Sequence, residues 1–404
     1  MPHIYTTLKT AIFLLVFLAC SPSTSIRETE TSASPTNQPL RVVMGAERTA
    51  DYLPLLQGKK VGMVVNNTST IGKTHLVDSL ISLGVTITKI FAPEHGFRGE
   101  APAGEKISND VDAKTGVPIL SLYGNHYKPT TEDMAGLEVV VFDIQDVGAR
   151  FYTYTSTMSY VMEACAENKL KFIVFDRPNP IGNIVDGPVL EEAQKSFVGL
   201  HPVPVAYGLT IGEYATMINN EGWLANGVKA DLQVVRLLNW GHNTTYSLPI
   251  KPSPNLPTDN SIAWYPSTCL FEGTMMSLGR GTQFPFEVLG YPSPDFGDFQ
   301  FTPVPIPGMS MDPKHQDKVC FGVDLRKAPA PGKVDISYLI GFYKKTPQNE
   351  NFFNSYFELL AGTSQLRQQI EQGLTEEEIR ASWQEKLSAY KQIRKKHLLY
   401  ADFE

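Results

Sequence analysis

Five short apolar runs rich in β-branched residues recur between Lys60 and Asp176: Lys60–Val65 (KVGMVV), Val85–Phe91 (VTITKIF), Val117–Leu120, Val139–Asp143 (VVVFD) and Phe172–Asp176 (FIVFD). Several are almost continuously apolar, the pattern of a strand covered on both faces. Between them, His75–Leu83 and Thr157–Glu167 carry apolar positions at helical spacing. Repeated β-helix-β units of this length predict a parallel sheet with helices on both sides. Thr210-x-x-Glu213 predicts a capping box opening a helix to Glu221. Asp231–Leu238 reads as a further strand, and the Pro- and Gly-rich segments Pro249–Pro257 and Gly279–Pro307 read as long ordered loops. Gly322–Arg326 predicts a strand. Beyond it lie helical patterns over Ile336–Lys344 and Ser364–Gln372, then a basic amphipathic helix capped at Thr375-x-x-Glu378 and reaching Tyr400. The change of pattern near Gln300 divides the folded part into residues 41–300 and a smaller α+β region, 301–404.

The first forty residues follow another logic. Lys9 precedes a nine-residue apolar run, Ala11–Ala19, that ends at Cys20. Such a run is too short to span a bilayer and has the length of a signal-peptide core. Phe17-Leu18-Ala19-Cys20 resembles a bacterial lipobox, which makes residues 1–20 a lipoprotein signal and Cys20 the lipidated residue. Residues 21–40 are dense in Ser, Thr and Pro and are expected to be a disordered tether, reaching roughly 25 Å as a flexible coil. The expectation is an exported protein of the bacterial envelope, periplasmic or at the cell surface, touching membrane only through its lipid.

Apolar content of 42% and charged content of 19% are ordinary for a globular protein. A formal charge of −7 argues against nucleic acid as a partner, since that role leaves a basic footprint. Cys165, Cys269 and Cys320 are widely spaced, without a CxxC pair or zinc spacing, and read as buried small hydrophobes, with one disulfide left open. No cofactor or metal is implied, and oligomeric state is not encoded in any pattern.

The chemistry collects after the strands. Asn66-Asn67-Thr68 follows the first, Pro93–Glu100 the second, Ser121–Gly124 the third, Ile144–Tyr154 the fourth and Arg177–Pro180 the fifth. In open parallel sheets these carboxyl ends share one rim, where ligands bind. Loops bearing carboxylates, arginines, amides and tyrosines suit a carbohydrate site.

Several motifs recur in order: Pro93-Glu94-His95-Gly96-Phe97-Arg98-Gly99, Phe142–Tyr154 (FDIQDVGARFYTY), Asp176-Arg177-Pro178-Asn179-Pro180 and Pro254-Asn255-Leu256-Pro257. Gly273-Thr274, Ser277-x-Gly279-Arg280-Gly281-Thr282, Pro285-Phe286-Glu287 and Arg394-Lys395-Lys396-x-Leu398-Leu399-Tyr400 follow. Together they resemble the exo-β-N-acetylmuramidase family, formerly a domain of unknown function, from about Leu40 onward. Asn67 and Ser69 depart from the family pattern, which has Pro or His and Gly there. The resemblance implies a Rossmann-like catalytic domain with a smaller C-terminal auxiliary domain and a site between them. It implies an exo-acting glycoside hydrolase that releases terminal β-1,4-linked N-acetylmuramic acid from peptidoglycan fragments.

The resemblance also implies a catalytic role for Glu94. A glycosidic bond breaks when a carboxylic acid protonates the leaving oxygen while negative charge supports the oxocarbenium ion. Glu94 is therefore expected as the general acid, with His95 beside it. The second group stays open among Asp143, Asp146, Asp176, Glu287 and the substrate's own acetamido group, with Asp143 placed first. The motifs supply the substrate-binding candidates: Asn66, Arg98, Gln145, Asp146, Arg150, Tyr152, Tyr154, Asp176, Arg177, Asn179, Arg280, Thr282 and Glu287. N-acetylmuramic acid differs from N-acetylglucosamine by a lactyl carboxylate on O3, for which an arginine fork is the natural partner. Arg98 and Arg150, nearest in sequence to Glu94 and the Tyr152-Thr153-Tyr154 run, are ranked before Arg177 and Arg280.

Other classes fit less well. No GxGxxG follows the first strand, no GxSxG elbow is present, and no HExxH supports a zinc hydrolase. Ser388-x-x-Lys391 lies in a charged helical pattern. The remaining rival is a catalytically silent muropeptide- or sugar-binding lipoprotein, because a cleft of this kind serves capture as well as hydrolysis.

Overall fold

Seven strands build the main sheet: β1 (Lys60–Val65), β2 (Thr86–Ala92), β3 (Asp110–Val111), β4 (Pro118–Ser121), β5 (Val139–Asp143), β6 (Lys171–Phe175) and β7 (Asp231–Val235). This is a computed structural model, and it describes residues 40–94, 96–98 and 110–404; the residues before 40, including Cys20, and the segment 99–109 lie outside it, as does His95. The spatial order is β7-β6-β5-β1-β2-β4-β3. Every pairing is parallel except that of β3 with β4. The chain steps from β1 outward through β2 and β4, then returns to the other side of β1 for β5, β6 and β7. β1 and β5 therefore flank the point where the winding reverses, the Rossmann-like arrangement that opens a crevice at the strands' carboxyl ends.

Residues alternate between the faces. Val61, Met63, Val65, Val139, Val141, Ile173 and Phe175 pack with Tyr52, Leu56, Leu76 and Leu80 in one core. Val64, Val140, Phe142, Phe172 and Val174 point the other way, into the larger core. Helices Tyr154–Glu167 and Ile211–Asn220 cover that second face, the latter opened by a capping box in which Thr210 accepts from Glu213 N–H. Double coverage explains the continuously apolar strands.

Residues 41–404 form one compact unit in which a smaller C-terminal region follows the sheet. Its core element is a three-stranded antiparallel sheet, β8 (Val288–Tyr291), β9 (Phe299–Phe301) and β10 (Cys320–Asp324), with β10 central. Gly322 is obligatory there, because a Cβ would stand 1.8 Å from the Leu289 carbonyl oxygen. β8 and β9 correct the expectation of loop over Gly279–Pro307: both are short, fall among prolines, and find their common partner only in β10, beyond a further long loop, which a local pattern does not reveal. The long terminal helix is likewise two, Glu376–Ser382 and Gln384–Lys395, broken where Trp383 turns its ring into the core. β7 stops at Val235, and Leu238 instead exchanges backbone hydrogen bonds with Val43 at 3.0 Å. A helix over Asp259–Thr268 lies where no periodic pattern announced one.

The terminal segment folds back on the main sheet. Tyr390 Oη donates to the Tyr207 carbonyl at 2.7 Å, Arg394 Nε to the Gly208 carbonyl at 2.8 Å, and Tyr400 Oη to Asp176 Oδ2 at 2.5 Å. Cys165, Cys269 and Cys320 are free, buried thiols. Among the described residues no helix is long and apolar enough to cross a membrane.

Candidate active site

Glu94 stands in the turn after β2. The Gly96 N–H closes on the Pro93 carbonyl at 3.0 Å, with Gly96 in the left-handed region (φ 78°) that favours glycine. Each carboxylate oxygen of Glu94 has a hydroxyl donor: Tyr123 Oη reaches Oε1 at 3.0 Å and Thr153 Oγ1 reaches Oε2 at 3.1 Å. Tyr154 Oη donates to the Glu94 carbonyl at 3.3 Å and lies against the Asn66 amide. Burial, then the Glu94 charge, raises the Tyr123 phenol far above its ordinary range, so it stays a donor.

A cavity of about 850 Å³ opens in front of Glu94. Tyr123, Tyr127 and Phe197 give it an aromatic side, Tyr127 and Phe197 stacking with centroids 4.1 Å apart. Tyr265, Glu272, Arg280, Tyr356 and the loop Met309–Asp312 also line it. A smaller chamber of about 70 Å³ adjoins it, lined by Glu94, Tyr152, Tyr154, Asn255 and Arg280 among others. Polar groups set among aromatic rings in a cavity of this size suit a sugar.

Of the expected site residues, Glu94, Tyr152, Tyr154 and Arg280 line these spaces. The others among the described residues brace the loops behind them. Asp143, the first candidate for a second catalytic group, is fully buried in a two-pronged pair with Arg177, Nε–Oδ1 2.6 Å and Nη2–Oδ2 2.8 Å. Neither residue lines either space. Asn66 Oδ1 accepts from Thr68 N–H and Oγ1, Gln145 Nε2 donates to the Asp146 and Pro178 carbonyls, and Asn179 spans Leu209 and Ile181. Asp146 Oδ2 accepts from Gly148 N–H and the Tyr207 hydroxyl, and burial raises its carboxyl to about 6. Asp176, after β6, accepts from Arg177 N–H, Gly212 N–H, Thr210 Oγ1 and Tyr400 Oη, and burial raises it to about 7. Glu287 accepts from Thr258 Oγ1 and Asn260 Nδ2; Thr282 donates to the Gly279 carbonyl.

The arginine ranking is reordered by these contacts. Arg150 is 1% exposed and donates to the Pro188, Val203 and Leu360 carbonyls, all within 2.9 Å. Arg98 is engaged by Asp112 through three hydrogen bonds of 2.9–3.1 Å. Of the four, only Arg280, one of the two placed behind Arg98 and Arg150, faces the cavity. Sequence reasoning also passed over Thr153 and Tyr123, which lie inside quoted loops, and Glu272, directly before Gly273-Thr274. Phe197 and Tyr356 come from segments without any motif. Among the described residues no cluster of His, Cys, Asp and Glu has the form of a metal site.

The sequence and the fold are shared with known proteins. The N-terminal sequence model of the exo-β-N-acetylmuramidase NamZ family matches residues 61–260, and its C-terminal model matches 263–400. The peptidoglycan β-N-acetylmuramidase NamZ of Bacillus subtilis (strain 168) is 40% identical over 374 residues, covering 87% of this chain and 89% of that protein. Two crystal structures of DUF1343 family proteins from Bacteroides fragilis superpose with TM-scores of 0.84 and 0.77, at 43% and 28% identity. Each covers 90% of this chain and all of its own. With both halves matched, this chain belongs to the exo-β-N-acetylmuramidase NamZ family.

Proposed function

We propose that this member of a glycoside hydrolase family cleaves the β-1,4 bond of a terminal N-acetylmuramic acid in peptidoglycan fragments, with Glu94 as general acid. The observation that carries the reading is the setting of Glu94: one carboxyl group at the wall of a sugar-sized cavity, with a hydroxyl donor on each oxygen. As the acid gives its proton to the leaving oxygen, charge develops on its own carboxylate, and fixed donors stabilise that charge without reorganisation. The N-terminus of helix Tyr154–Glu167 adds a favourable dipole on the same side. Tyr127 and Phe197 offer a stacking face to the sugar rings.

Glu94→Gln keeps shape but cannot donate the same proton. Turnover of a nitrophenyl muramide and of a muropeptide-derived disaccharide by wild type, with a loss of about 10²–10⁴-fold on the disaccharide in the variant, is the expected result. The activated nitrophenyl substrate, which needs little protonation, loses less. Unchanged disaccharide hydrolysis by Glu94→Gln would sink the assignment, and an unaltered melting curve separates chemistry from folding.

The same reading places the enzyme outside the cytoplasm, as a lipoprotein anchored through Cys20 and held off the membrane by residues 21–40. Its support is the lipobox-like sequence before Cys20.

A further inference from the structure

We infer that Arg280 and Asn255 form the wall that selects N-acetylmuramic acid, with the Arg280 guanidinium taking the O3 lactyl carboxylate and Asn255 Oδ1 the acetamido N–H. The inference rests on the muramidase reading above and adds to it the residues that distinguish the sugar.

Both residues line the 70 Å³ chamber beside Glu94. That volume suits a ring substituent better than a ring, so the sugar lies in the larger cavity and directs substituents into the chamber. Arg280 is oriented on two sides. Its Nε donates to Glu272 Oε1 at 2.5 Å, and its guanidinium carbon sits 5.1 Å from the Phe286 ring centroid. Among the described residues its two terminal nitrogens, the fork that binds a carboxylate, make no hydrogen bond to the protein. Among the described residues it is the one cation lining either space, against Glu94, Glu272 and the exposed Asp312. Glu272 does not neutralise it alone. The Lys314 ammonium, donating to the Phe271, Glu272 and Thr274 carbonyls, also interacts with the Glu272 charge. Glu272 thus shares its charge between Arg280 and Lys314.

Asn255 supplies the second contact. Its Nδ2 donates to the Met309 carbonyl at 2.9 Å, while its buried Oδ1 has no partner among the described residues. A buried acceptor without a donor is costly, and a ligand N–H relieves the cost. Glu94, Asn255 and Arg280 share the lining of this one chamber, as groups reading the C1, C2 and C3 substituents of a single sugar must.

The experiment compares wild type, Arg280→Ala, Arg280→Lys and Asn255→Leu on three nitrophenyl substrates: the muramide, its lactyl methyl ester and the glucosaminide. The expected wild-type preference for free acid over ester is about 10- to 100-fold in kcat/KM. Arg280→Ala brings that ratio close to one, and Arg280→Lys, lacking the planar fork, leaves an intermediate ratio. Asn255→Leu weakens muramide and glucosaminide alike. A wild type that treats acid and ester equally overturns the assignment, as does an Arg280→Ala variant that slows both by the same factor. Should Arg280→Ala fail to fold, the wild-type acid-to-ester ratio still decides. Calorimetric binding of N-acetylmuramic acid against its methyl ester reads the same contact without turnover. Absence of any muramide hydrolysis by wild type would count against the enzyme reading instead.

Discussion

Thr153 is the N-cap residue of helix Tyr154–Glu167, yet its hydroxyl donates to Glu94 Oε2 at 3.1 Å and makes no capping bond to its own helix. An N-cap hydroxyl ordinarily contributes about 1 kcal/mol to stability. Here that contact is absent, and the hydroxyl serves the neighbouring carboxylate. Thr153→Val is therefore expected to lower disaccharide hydrolysis by about 10-fold or more, from the loss of a charge-assisted hydrogen bond. Its melting temperature should stay near that of wild type, and Thr153→Ser should restore the rate. A large fall in melting temperature with an unaltered rate would refute this division of roles.

The buried carboxylates make stability depend on pH. Burial raises Asp146 to about 6 and Asp176 to about 7, against an ordinary aspartate value of 3.8. Between about pH 4 and 7 the folded chain holds protons that the unfolded chain has released, so stability falls as pH rises through that window and levels off above it. Asp146→Asn removes one of the two contributions. The Gly148 N–H and the Tyr207 hydroxyl both meet Oδ2, so an amide oxygen placed there can keep these bonds. Melting temperatures from pH 4.5 to 8 should decline less in the variant than in wild type; parallel curves would contradict the prediction.

Arg150 is expected to matter for folding and not for sugar selection. Its guanidinium answers three carbonyls from residues 188, 203 and 360, has no acidic partner, and is lowered to about 10 by burial. Arg150→Met leaves those carbonyls without their donor and should cost about 3 kcal/mol or more, measured by denaturant unfolding. Gly362→Ala should act on the same contact, because a Cβ there stands 2.5 Å from Arg150 Nη2 and φ is 74°. A fall in the muramide-to-glucosaminide preference with full stability would reverse this view.

Cys20→Ala tests the anchor. The wild-type chain expressed in a bacterial envelope should take up an acyl label and partition into detergent, and the variant should do neither. A single acyl chain binds membranes weakly, so stable retention calls for the multiple chains of a lipoprotein. Membrane retention of the variant equal to wild type would rule the anchor out.

How much of this was legible in the sequence depended on how local the physics was. β5 reads directly from VVVFD because both its faces are buried and every residue must be apolar or at the strand's end. The Glu94 turn is equally local, set by Pro93 and Gly96. The arginines were not legible. Closeness in sequence to Glu94 favoured Arg150, but its partners come from segments 38, 53 and 210 residues away. Arg280, remote in sequence, reaches the cavity through the fold. Phe197 and Tyr356 escaped for the same reason, since neither sits in a motif and only tertiary packing brings them to the sugar side.

The return of Tyr390, Arg394 and Tyr400 onto the main sheet has a consequence for how the protein is made. Asp176 comes off the ribosome 224 residues before Tyr400, and the Gly208 carbonyl 186 residues before Arg394. Until residue 400 has emerged, a carboxylate destined for the interior lacks its tyrosine partner, and the sheet is left with a polar wound. Synthesis order and folding order are thus decoupled: the nucleotide-fold half is translated first but is finished last. An early release or a truncation near residue 380 should yield a chain that proteases clear, however intact its catalytic loops.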